Sequence, residues 1–223
     1  MTPSRARHIA AMMFAGCMAV RSLHAQAVQP TVAVAPSSAT IARVRADSTR
    51  LPYTDADVEF MSGMIHHHSQ AIVMARMAPT HGAGPSVSTL CERIINAQGD
   101  EIRLMQQWLR DRQLPVPAAT AGGMKMKMGG MEMDMLMPGM LSDEQMKQLD
   151  AARGLEFDRL FLTFMIQHHT GAVGMVNDLF ASKAGAQDEA IFKFASDVNA
   201  DQSTEIARMQ KMLAVVVFEG RTP

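Results

Sequence analysis

Apolar positions recur at the three- and four-residue spacing of helices in two long stretches, separated by a segment that lacks this spacing. The first stretch opens on Thr54-Asp55-Ala56-Asp57, where the Thr54 hydroxyl can accept an early backbone N–H and the acidic residues favour the positive end of the helix dipole. A helix is expected from there to about residue 78, stopped by Pro79 and Gly82. A second is expected over residues 86–113, ended by Pro115 and Pro117. Residues 114–141 are rich in Pro, Gly and Met with no apolar stripe that could pack on a core, and read as a linker. Helical signals return at Ser142-Asp143-Glu144-Gln145, a capping box. A short helix to about residue 152, a long one over 155–181 and a last one over 187–216 follow.

The stretches on either side of the linker are copies of one pattern. Asp57-x-x-Phe60-x-x-x-Met64-Ile65-x-His67-His68-x-x-Ala71-x-x-Met74 recurs as Asp158-x-x-Phe161-x-x-x-Met165-Ile166-x-His168-His169-x-x-Ala172-x-x-Met175, displaced by 101 residues. The following helices also correspond, Gln98-x-x-Glu101-Ile102-x-x-Met105 matching Gln202-x-x-Glu205-Ile206-x-x-Met209 at a displacement of 104. Each half is therefore a helical hairpin. Two hairpins bury matching apolar stripes best against each other, so the fold class is all-α, a four-helix bundle over residues 51–216. Repeat one covers 54–113, the Met-rich linker 114–141 and repeat two 142–216.

Composition narrows the reading. Lys and Arg total 21 against 22 for Asp and Glu, which offers no electrostatic case for nucleic acid or an anionic membrane surface. Aromatics make up 5% of the chain while Met supplies 22 residues, so polarisable thioethers replace the rings that strands favour. At the N-terminus, Arg5 and Arg7, an apolar run from Ile9 to Val20 and Ala25-Gln26-Ala27 read as an export signal over residues 1–27. Phe14-Ala15-Gly16-Cys17 loosely resembles a lipoprotein processing box, which offers a lipid anchor on Cys17 as the alternative to cleavage after Ala27. Residues 28–50 mix Ala, Val, Pro, Ser and Thr without helical periodicity and read as a flexible lead. Cleavage would leave Cys91 as the one cysteine, open to a soft metal but more simply a small buried residue.

The repeat carries the candidate chemistry. Residues three and four apart share a helix face, so Met64 lies one turn before His67 and His68, and Met165 one turn before His168 and His169. Adjacent histidines stand about 100° apart around the axis, so one can point into the bundle while the other lies at its flank. A lone His would read as a satisfied core group; paired His in both repeats, each with a thioether neighbour, reads as metal ligation. Di-iron bundles need Glu-x-x-His, and here Met or Ile occupies each such slot, so soft donors select copper, with Ag(I) as a chemical mimic. Glu101 and Glu205 are candidate acceptors for those rings, and His66, matched by Gln167, a candidate extra exposed ligand. In the linker, Met124, Met126, Met128, Met131, Met133, Met135, Met137 and Met140 place eight thioethers in 17 residues, a pattern suited either to soft-metal capture or to an oxidant-absorbing tether. Protons compete for imidazole below its ordinary value of about 6.5 and do not compete for thioethers, so acid is expected to release metal from the His sites first.

The Met-Ile-x-His-His-x-x-Ala motif, preceded by Asp-x-x-Phe and followed by Gln-x-x-Glu-Ile, resembles the family catalogued as domain of unknown function 305 over roughly residues 51–216. That resemblance implies a ferritin-like four-helix bundle in exported bacterial proteins, some of which, the CopM-type members, bind copper and contribute to copper resistance. The family motif falls on Met64, His67, His68, Met165, His168 and His169. The leading expectation is thus a periplasmic or extracellular copper-binding protein that sequesters copper or exchanges it with a donor or acceptor protein. A redox or hydrolytic metalloenzyme using an open position on the same histidines is the alternative, although no nucleophile-base arrangement is visible. A helical module docking partners through its Met surface is the third.

Overall fold

The computed structural model describes residues 37–39, 52–128 and 131–220. The expected export segment, with Cys17, and the flexible lead apart from residues 37–39 lie outside the described residues. Thr54 caps α1 (Asp55–Ala75) as a capping box, its hydroxyl accepting from the Asp57 N–H at 3.3 Å while the Asp57 carboxylate accepts from the Thr54 N–H at 2.8 Å. The helix ends three residues earlier than its pattern suggests. Pro79 does not stop it but starts the short α2 (Ala78–His81), because a first-turn proline lacks only an N–H that has no helical partner. Gly82, at φ +70°, then closes α2 in the left-handed conformation. Pro85 opens α3 (Pro85–Asp111) in the same way.

Residues 124–135 depart from the expected featureless linker. They form an antiparallel hairpin of β1 (Met124–Met128) and β2 (Met131–Met135), in which Met124, Met126 and Met128 pair with Met135, Met133 and Met131. Lys125 pairs with Asp134 and Lys127 with Glu132. The segment has no stripe at helical period, but its Met/charged alternation has the period of two that a strand uses, and it sets opposite charges across from each other. The remaining elements are α4 (Asp143–Ala151), capped by Ser142 and Gln145, α5 (Leu155–Ala181) and α6 (Glu189–Glu219). Asp188 caps α6 and forms a buried ion pair with Arg112.

Helices α1, α3, α5 and α6 form the four-helix bundle, α1 packing on α3, α5 on α6, and α1 against α5. Two apolar clusters fill its ends. One gathers the C-terminal half of α1 (Ala71, Met74) with the N-terminal halves of α3 (Leu90, Ile94) and α5 (Phe157, Phe161, Met165) and with Met209 of α6. The other gathers the opposite halves, among them Phe60, Met64, Met105, Met175 and Phe194. Neighbours within each hairpin therefore run antiparallel, as do α1 and α5. Cys91 is buried in the first cluster, and burial, then the Asp158 charge, pushes its thiol up to about 12, so it stays protonated and inert.

The repeated aspartates clasp the two hairpins together. Asp57 Oδ1, on α1, accepts from the Ala186 N–H in the loop before α6 at 2.7 Å. Asp158, on α5, accepts from the Gly84 N–H in the loop before α3 at 3.1 Å. Each hairpin thus satisfies a backbone donor of the other with a fully buried carboxylate. Asp57→Ala strands that donor, and the expected cost is about 2–3 kcal/mol by urea denaturation, with a similar loss for Asp158→Ala. Stability within about 0.5 kcal/mol of wild type in both variants would refute the clasp.

Candidate metal centre

The two apolar clusters are separated by a polar layer at mid-bundle. His67 and His68 sit midway along α1 and His168 and His169 midway along α5, and all four are fully buried. The adjacent histidines of each pair diverge as helical geometry requires. His67 and His168 turn inward and meet across the bundle with ring centroids 3.8 Å apart, inclined at 42°. His68 and His169 turn outward to the partner helices. His68 Nε2 lies 2.7 Å from Glu101 Oε2 on α3, an ion-pair distance without hydrogen-bond alignment, and His169 Nε2 forms a 2.8 Å hydrogen bond with Glu205 Oε2 on α6.

Few partners satisfy these rings. His67 Nε2 donates to the Pro138 carbonyl at 3.0 Å. His67 Nδ1, His68 Nδ1, both nitrogens of His168 and His169 Nδ1 make no hydrogen bond, and the Oε1 atoms of Gln98 and Gln202, 3% exposed each, are in the same position. Burial holds the inner pair, His67 and His168, neutral. It pushes His67 down to about 3, assisted by His68 and opposed by the Pro138 carbonyl, and pushes His168 well below its ordinary value, with His67 as the next cause. Neutral imidazole is the form that donates a lone pair to a metal. Among the described residues no three of His, Cys, Asp and Glu stand as a ready ligand set, so an ion here would need a thioether or amide donor or a shift of the rings.

The methionines of the motif flank this layer. Met64 is fully buried on the side of one apolar cluster and Met165 on the side of the other, and the repeated pairs Met74 and Met175, Met105 and Met209 divide in the same way. His66 does not join the layer. It is 9% exposed, and its Nδ1 donates to the Thr120 carbonyl at 3.2 Å, which corrects its expected exposure, because the start of the linker folds over it.

The end of the linker is a strap laid across the histidines. Gln70 grips Leu141 through both backbone groups, at 2.7 and 3.0 Å, and Gln167 donates to the Gly139 carbonyl at 3.2 Å. A Cβ on Gly171 would stand 1.9 Å from the Pro138 oxygen, so only glycine lets the strap lie this close to α5. Met137 packs against Gly63, and Met140, 5% exposed, accepts from the Met137 N–H at 3.3 Å. Met135 stays exposed, and the side chains of Met124, Met126, Met128, Met131 and Met133 lie outside the described residues. Pro138, Gln70 and Gly171 carried no signal in the repeat. Gln98 and Gln202 did, since they occupy equivalent positions one turn before the two glutamates.

The family model described as domain of unknown function (DUF305) matches residues 57–213. No curated protein matches the chain significantly. Among solved structures, a DUF305 protein from Streptomyces coelicolor is 27% identical with a TM-score of 0.62, over 75% of this chain and 95% of that one. CopM in its Cu(II)-bound form is 32% identical with a TM-score of 0.53, over 70% of this chain and 95% of that one. In its Cu(I)-bound form it is 30% identical with a TM-score of 0.52, over 72% and 95%.

The burial of the rings sets a pH dependence for the metal-free protein. His67 has a folded value of about 3 against about 6.5 unfolded, so the unfolded chain takes up the proton first, and stability falls as pH drops from about 6.5 towards 3. His168 acts in the same direction. Proton competition for these rings is therefore also weaker than their ordinary value suggests. Thermal unfolding between pH 7 and 4.5 should show a loss of up to about 1.4 kcal/mol per pH unit from His67, with a shallower slope in His67→Gln/His168→Gln. Equal slopes in the two proteins would contradict the assignment.

Proposed function

The chain belongs to the family of domain of unknown function 305, and from that membership and its histidine layer we propose that it is an exported, periplasmic or extracellular, copper-binding protein that sequesters copper or hands it on. The observation that carries this reading is the set of unpartnered ring nitrogens on His67, His68, His168 and His169 in the middle of a four-helix bundle. An unsatisfied buried polar atom costs about 1–3 kcal/mol, so such a layer is better matched to a cation than to an apolar core. CopM, similar to this chain in fold and at up to 32% identity, was solved with Cu(II) and with Cu(I), which supports copper as the ion.

In this reading His67 and His168 provide the inner nitrogens and His68 and His169 the outer ones, with Glu101 and Glu205 orienting the outer rings. Met64 and Met165 supply thioethers from opposite sides, which favour Cu(I) and Ag(I). The Met-rich hairpin is the capture segment, its six methionines set across from one another in register. Met137 and Met140 continue the run of thioethers on to the strap. His66 anchors the linker. Binding is preferred over turnover because the four rings are fully buried, so a bare ion can reach them far more readily than an organic substrate can. No helix among the described residues is long and apolar enough to cross a membrane.

Replacing His67, His68, His168 and His169 together by Ala is expected to weaken tight copper binding by at least ~100-fold while circular dichroism still reports a helical protein, since both apolar clusters survive. Unchanged copper stoichiometry and affinity would overturn the histidine assignment.

In that four-alanine background, residual Ag(I) is expected on the hairpin. Changing Met124, Met126, Met128, Met131, Met133 and Met135 to Leu should remove it, as read by metal analysis after gel filtration at neutral pH. Full retention by the Leu version would make the hairpin a tether and not a copper-binding segment.

A further inference from the structure

Outside the histidine layer, α3 and α6 leave a groove of about 370 Å³ between them, and its walls are repeat-equivalent: Gln98 and Glu101 from α3 face Gln202 and Glu205 from α6. We propose that this groove is a second cation site, taking a hard, oxygen-seeking divalent ion on the carboxylates of Glu101 and Glu205 and the amide oxygens of Gln98 and Gln202. The site goes beyond the copper reading and stands whether or not the histidines hold copper.

Three observations converge on it. Each glutamate directs one oxygen, Oε2, at a buried imidazole, and each remains partly exposed, at 21% for Glu101 and 16% for Glu205, so the carboxylates reach the groove as well as the layer. Gln98 and Gln202 are among the residues lining the same groove although they are 3% exposed, and their Oε1 atoms are buried without a hydrogen-bond partner. A carboxamide oxygen that is buried and unpaired is an acceptor open to a cation. Finally, among the described residues no methionine or cysteine lines this groove, whereas thioethers flank the histidine layer on both sides. Its donors are oxygens, which suit Mg(II), Ca(II) or Mn(II) and not Cu(I).

The charge balance agrees. Asp201 adds a third carboxylate to the walls, and among the described residues that line it the one cation is Arg93. The Arg93 guanidinium is 53% exposed and stands 3.9 Å from Glu205 Oε1, a solvent-screened contact worth little and easily given up to a metal ion. An excess of negative charge therefore faces the groove. Among the described residues the three carboxylates do not form a ready metal cluster, so the proposed site also calls on the two glutamine oxygens.

Mn(II) is the probe, because it is hard and its free aqua ion gives an electron paramagnetic resonance signal that disappears on binding. The full chain, stripped of metal with a chelator, should remove about one equivalent of that signal. Glu101→Gln/Glu205→Gln should weaken the binding by at least ~10-fold. Ala97→Lys should do the same by placing an ammonium in the groove, and because Ala97 is an exposed lining residue this variant keeps the fold. The variant with all four layer histidines changed to Ala should still bind Mn(II). No binding by the wild-type chain overturns the proposal. Binding that survives Ala97→Lys and is lost with the histidines would place the ion in the layer and overturn it equally, whereas failure of the copper reading would leave the Mn(II) result intact.

Discussion

Four imidazoles buried across the middle of a helical bundle set the terms for everything around them. Their burial keeps the inner pair neutral, because a charged ring in that position would pay full desolvation beside another ring 3.8 Å away. It also divides the core in two. Apolar contacts cannot run continuously through the layer, so each end of the bundle needs its own cluster, and each cluster draws on all four long helices. The bundle is therefore held by two hydrophobic cores joined through a polar waist.

Internal duplication makes this arrangement self-consistent. Because the two hairpins pack with α1 antiparallel to α5, equivalent residues fall on opposite sides of the layer, and each core receives one copy of every repeated methionine. The same symmetry sends Asp57 and Asp158 to each other's loops, so the carboxylates that open each repeat lock the hairpins together. Polar groups with one geometric solution contribute specificity that two interchangeable apolar faces lack.

What breaks the symmetry is the linker. Its strap crosses one side of the layer, binds His67 through the Pro138 carbonyl and leaves His168 without such a partner. On the other side, the groove between α3 and α6 presents oxygen donors. One face of the histidine layer is thus crossed by a strap that carries Met137 and Met140, while the other meets the repeat's own carboxylates, and the insertion supplies the asymmetry that the repeat lacks.

Much of this was legible in the chain itself. Periodicity, caps and the displaced motif specify four long helices in two hairpins, because helix faces and capping residues are local properties that need no knowledge of the partner. The pairing of imidazole with thioether followed from spacing alone for the same reason. At helical period the Met/charged alternation of residues 124–135 is no pattern, and only its period of two matches the hairpin that forms. Pro79 has the local signature of a stop, and its place in the following turn makes it a start. Tertiary structure alone decided which histidine of each pair faces its twin, that Gln98 and Gln202 are buried without partners, that His66 holds the linker, and that Gly171 admits the strap. Each of these depends on how two helices or a helix and a loop approach one another, a distance set by the summed packing of residues far apart in sequence and encoded at no single position.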